Sequence, residues 1–91
     1  MRLTIYINQD KSFTVNAFDN DGFTAGAIST RNTLDVVRFI DTVRNKEPEA
    51  VQAKVIDHNG VEHTLSSFST RTRMKAVLDE FTALVQEVTH A

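Results

Sequence analysis

Met74, Val77, Leu78, Phe81, Leu84, Val85 and Val88 follow one another at spacings of three, one, three, three, one and three. That rhythm draws one continuous apolar stripe down a helix. A helix so one-sided needs a surface to cover, and the short alternating segments earlier in the chain are the candidates. The stripe therefore predicts an α+β domain in which a helix lies on a sheet. With 91 residues the chain has material for one modest core, so residues 1–91 are read as a single domain.

Leu3, Ile5 and Ile7 share one face of a first strand. Phe13, Val15 and Ala17 share one face of a second, and the polar stretch 8–11 turns the chain between them. Asp19-Asn20-Asp21-Gly22 predicts another turn, with Gly22 free to take positive φ, and Phe23, Ala25 and Ala27 then alternate with Thr24, Gly26 and Ile28 in a third strand. Phe18 and Ile28 break the alternation at strand ends and are expected to pack at the border of the core. The period then changes. Leu34, Val36, Val37, Phe39, Ile40 and Val43 fit a broad helical face, with Asn32 as its N-cap and Asp35 near the positive end of the helix dipole. This helix should stop near Asn45, ahead of the linker-like Lys46-Glu47-Pro48-Glu49.

Val51, Ala53 and Val55 mark a fourth strand, and Val61, His63 and Leu65 a fifth, with Asn59-Gly60 as the hairpin signal between them. Ser69 or Thr70 is the expected cap of the last helix. The links between neighbouring strands are short, which favours antiparallel pairing. The fold expected is an α+β domain with an antiparallel sheet of about five strands and two helices packed on one face.

Composition excludes more functions than it assigns. Hydrophobic residues at 41% and charged residues at 24% describe an ordinary globular protein. Nothing is long enough to span a bilayer, and the alternation that follows Met1 and Arg2 reads as a strand rather than a signal peptide. A cytoplasmic location is expected, in keeping with the absence of cysteine, which also removes thiol catalysis, disulfides and cysteine-bearing zinc sites. A net charge of only −2 favours neither a wholesale nucleic-acid binder nor a heavily acidic mimic, so a charge-based function must use a local patch.

No complete catalytic pattern emerges. The Asp19-Asn20-Asp21-Gly22 turn fails as a calcium loop, because aligning Gly22 at the sixth position puts Ala17 at the first and Ile28 at the twelfth. His58 and His63 flank a turn without enough further ligands for zinc, and alternation puts His63 on the face of Val61 and Leu65. The serines lack a nucleophile-elbow glycine pattern, and there is no phosphate-binding loop or dinucleotide fingerprint. We therefore expect no enzyme, no metal and no cofactor.

Two charge clusters remain as candidate sites. Acidic residues collect in the turns and linker: Asp10, Asp19, Asp21, Glu47, Glu49 and Asp57. Where such turns converge at one end of a sheet they form a negative rim for a basic partner surface. Arg71, Arg73 and Lys75 sit at the expected start of the last helix, where backbone N–H groups favour an anion such as phosphate.

A strand starting at Met1, a meander closed by acidic turns and packed helices between Leu3 and Val88 resemble, in size and layout, the small phage-encoded inhibitors of bacterial defence systems, anti-CRISPR proteins among them. The resemblance implies a protein that works by binding another protein, and it carries no functional residue over. The first expectation is thus a non-enzymatic protein-binding module that uses sheet-edge or turn residues to block a functional surface of a host or phage protein complex, for example as a phage or mobile-element inhibitor. The second is a nucleic-acid-associated regulator contacting phosphate through Arg71, Arg73 and Lys75. The third is a self-associating structural protein, a homodimer built on an exposed strand edge or on the first helix.

Overall fold

In a computed structural model, which describes residues 2–19, 21–46, 52–65 and 73–90, the apolar faces predicted for the first, second and fourth strands and for both helices meet. The face predicted for the third is corrected: Phe23, Ala25 and Ala27 are exposed, and pairing with Val15 turns Ile28 to the core instead. The elements are β1 (Arg2–Ile7), β2 (Phe13–Phe18), β3 (Thr24–Thr30), α1 (Thr33–Lys46), β4 (Gln52–Ile56), β5 (Glu62–Thr64) and α2 (Met74–His90). Leu3, Ile5, Ile7, Phe13, Val15, Ala17 and Val55 are buried on one face of the sheet. Val36, Ile40 and Val43 of α1 and Val77, Phe81 and Val88 of α2 join them in one cluster. The ring of Phe81 meets that of Phe13 edge-on, centroids 5.4 Å apart, a favoured aromatic geometry. The opposite face of the sheet carries Arg2, Thr4, Tyr6, Thr14, Asn16 and Lys54, the alternates of the buried residues.

The sheet order is β3-β2-β1-β4-β5. Three of its four contacts are antiparallel, but β1 and β4 run parallel, with Leu3 beside Ala53 and Ile5 beside Val55. The sheet is therefore mixed, and the all-antiparallel expectation is corrected. The reason lies in α1. Its 14 residues rise by about 1.5 Å each, close to the length of a six-residue strand. The helix thus returns the chain to the end of the sheet where β1 and β3 begin, and a strand reached through such a crossover runs parallel to them. Slotting β4 next to β1 buries Val55 completely and puts two strands on each side of β1.

Local signals set the helix ends. The Asn32 side chain accepts the Leu34 N–H at 2.9 Å, making it the N-cap of α1. The helix runs to Lys46, one residue past the predicted stop. At α2 the carbonyl of Arg73 accepts the N–H groups of Ala76 and Val77, so Arg73 stands at the cap position; Ser69 and Thr70 lie outside the described residues.

Candidate functional site

The hairpin turns show first what the acidic residues do. In each, the N–H of the first residue donates to the carbonyl of the fifth, and the N–H of the fourth donates back to the carbonyl of the first. This holds for Asn8 and Ser12 with Lys11, for Asp19 and Phe23 with Gly22, and for Asp57 and Val61 with Gly60. The fourth residue has positive φ in all three: 68° at Lys11, 87° at Gly22 and 83° at Gly60. This is a three-residue hairpin loop with a left-handed residue at its exit.

In two of the turns an aspartate closes the loop. Asp19 Oδ1 accepts the N–H groups of Asp21 and Phe23, and Asp57 Oδ1 accepts those of Asn59 and Val61. Asp57 is also buried, and its second oxygen takes a hydrogen bond from His63 Nε2 at 3.0 Å. A carboxylate only accepts, so Nε2 carries the proton. The His63 bond, helped by the backbone donors of Val61 and Asn59, holds the Asp57 carboxyl below its ordinary range despite the opposing effect of desolvation. Among the described residues no three histidines, aspartates or glutamates come together as a metal-binding group.

The predicted acidic rim is divided between the two ends of the sheet. Asp10 and Asp57 lie beyond the C-terminal ends of the parallel strands β1 and β4, whereas Asp19 and Asp21 close the hairpin at the opposite end. Asp10 is exposed, accepts the N–H and hydroxyl of Ser12, and stands 3.5 Å from Arg31; the Ser12 hydroxyl chiefly lowers its pKa. Glu47 and Glu49 lie outside the described residues, as does Arg71. Arg73 and Lys75 are both exposed around the start of α2.

The surface that sequence reasoning treated least fully is the free edge of β3. This strand is seven residues long, Thr24–Thr30, without charge or proline. The other edge, β5, has three residues, two of them Glu62 and His63. Asn8 and Ser12 form the hydrogen-bonded pair that closes the first hairpin. Alternation then turns the backbone groups of Phe13 and Val15 toward Thr30 and Ile28. The N–H and C=O of Ala27 and Ser29 consequently point away from the sheet. A register shift between Ala17 and Phe18 places a bulge at the start of β3 and leaves 26–30 regular.

Beside this edge a shallow groove of about 400 Å³ runs between β3 and α1, lined by Ile28, Thr30, Asp35, Arg38, Phe39 and Thr42 among others. At one end Phe39 lies over Gly26, where an added Cβ would stand 3.4 Å from the ring. Asp35 accepts a hydrogen bond from the Thr30 hydroxyl at 2.8 Å. Arg38 is exposed and has no ion-pair partner among the described residues. The uncharged stretch from Phe23 to Thr30 was visible in the sequence, but nothing there marked it as an edge. No family model, curated protein or solved structure matches the chain.

Proposed function

We propose that this protein is a non-enzymatic binding module that takes up an extended segment of a partner protein along the free edge of β3. The observation that carries the reading is a long, uncharged edge whose outward backbone groups adjoin a groove with Ile28 and Phe39 in its walls. Edge addition needs both features: main-chain hydrogen bonds supply affinity, and a neighbouring groove sorts alternate side chains. Natural sheets usually blunt such an edge with charge, proline or brevity, as β5 does here. A module of this kind blocks a partner by occupying its strand, the mode of action expected of a small inhibitor.

The test is a selection of random peptides on dilute immobilised protein, repeated on Ala27→Pro. Proline removes the outward N–H of residue 27 and is tolerated on an edge strand. Enriched peptides with alternating apolar residues, at least tenfold weaker on Ala27→Pro, are expected. Peptides that bind both proteins equally, or no enrichment, would count against the reading.

A further inference from the structure

We infer that the segment added to β3 is β3 of a second copy, paired antiparallel about a two-fold axis at Ile28; the inference rests on the edge-addition reading above. Two elements of the chain point to the same axis independently. The first is the strand. Its regular part, 26–30, is centred on Ile28. An axis there pairs Ile28 with Ile28, Ala27 with Ser29, and Gly26 with Thr30, and no charged residue meets another. The outward backbone groups of Ala27 then meet those of Ser29 in hydrogen-bonded pairs, while Ile28 faces Ile28 across the closer, non-hydrogen-bonded spacing. Ile28 is only partly buried against the core, so the second copy completes its burial.

The helix gives the second line. Asp35 is tied to Thr30 at one end of the groove, and Phe39 lies over Gly26 at the other, so α1 runs antiparallel to β3 along its edge. Pairing Gly26 with Thr30 of the second copy therefore sets Asp35 of one α1 opposite the turn of the other that carries Arg38, and the reverse. One acidic and one basic side chain on the same groove wall thus become two complementary pairs, as an isologous interface requires. Spacing agrees as well. The helix α1 contacts both β3 and β2, and strands lie about 4.8 Å apart. Two such helices are then two strand spacings from each other, about 10 Å, a separation at which helices pack. The assembly is one continuous sheet with β3 at its centre and the short, charged β5 at both outer edges.

The test is sedimentation equilibrium and light scattering of the intact protein over a wide concentration range, with Ala27→Pro and Arg38→Glu run beside it. The chain is 10.2 kDa, and the expected result is twice that mass at high concentration. Dissociation should be at least tenfold easier in both variants, and circular dichroism should show each still folded. The chain has no cysteine, so Ile28→Cys reports the axis directly. Under mild oxidation it should give a disulfide-linked dimer, and Ser29→Cys, displaced from its own copy, should not. A wild-type mass of one chain at every concentration would overturn the inference, as would a dimer indifferent to both variants or cross-linking at Ser29 in place of Ile28. If the protein is monomeric and yet selects peptides that Ala27→Pro rejects, the self-pairing falls and the edge-addition reading stands.

Discussion

The hairpins β2–β3 and β4–β5 are closed by the same five-residue turn, Asp19 to Phe23 in one and Asp57 to Val61 in the other, with matching backbone hydrogen bonds and a left-handed glycine in fourth place. They differ in what surrounds the aspartate and in the strand that follows. Asp57 is buried and held by His63 from β5; Asp19 is half-buried and, among the described residues, bonds only within its own turn. The strand after Asp57 is short and charged, and the strand after Asp19 is long and bare. One turn geometry thus serves as a clamp where a neighbouring strand supplies a donor, and as a simple reversal at Asp19.

Removing each aspartate is the strongest way to break this comparison. Asp57→Ala leaves two backbone N–H groups and the His63 N–H without their acceptor, and it should produce the largest fall in stability of this series. Asp19→Ala, whose freed donors are nearer water, should cost about 1 kcal/mol. Equal losses in urea melts would mean that the His63 contact adds nothing. Next come the glycines, where the two turns should behave alike. Both have positive φ and open space around the added Cβ, so Gly22→Ala and Gly60→Ala should each cost about 1 kcal/mol through backbone strain alone.

Acid should separate the turns further. Asp57 has a lowered folded pKa, so its contribution is complete above about pH 4 and is lost as pH falls through the folded value. Asp10, lowered mainly by Ser12, adds to the same acid slope, but it does not touch His63. The difference between wild type and His63→Ala, measured as stability against pH in the acid range, should therefore isolate the part of the Asp57 share that His63 supplies, and parallel curves would remove it. The smallest effect belongs to the third turn. Lys11 occupies the position of Gly22 and Gly60 with φ of 68°, and Lys11→Gly should relieve that strain at the expense of a freer unfolded chain. A net gain of at most about 0.5 kcal/mol is expected, measured as a small rise in the urea midpoint.

Much of the fold was legible because its signals are local. The stripe of α2 needed only a period, and every member from Met74 to Val88 is buried or half-buried as predicted. Asn32 announced itself as a cap by residue type and position. Gly22 and Gly60 marked their turns, but the positive φ of Lys11 carried no such mark, since lysine rarely adopts it. The candidate site was read less well. Acidic turn residues looked like one surface because the sequence does not say which end of a sheet a turn occupies. The bond that holds Asp57 was not legible because its partner His63, six positions on, becomes a neighbour only when β5 folds back.

By itself, the sequence determined where strands and helices form, which face is apolar in the helices and in every strand but β3, whose inward face was set by pairing with β2, and where the chain reverses. Those properties follow from side-chain period and backbone preference over a few residues. The tertiary structure decided which strand stands at the edge. That choice follows from the crossover through α1, which inserts β4 beside β1, where Val55 is buried next to Ile5 and Ala53 is partly buried next to Leu3. With both sides of β1 taken, β3 is left outermost beside the groove of α1. Edge position is a property of strand order, and strand order is settled by contacts between residues about fifty positions apart, which no local pattern encodes.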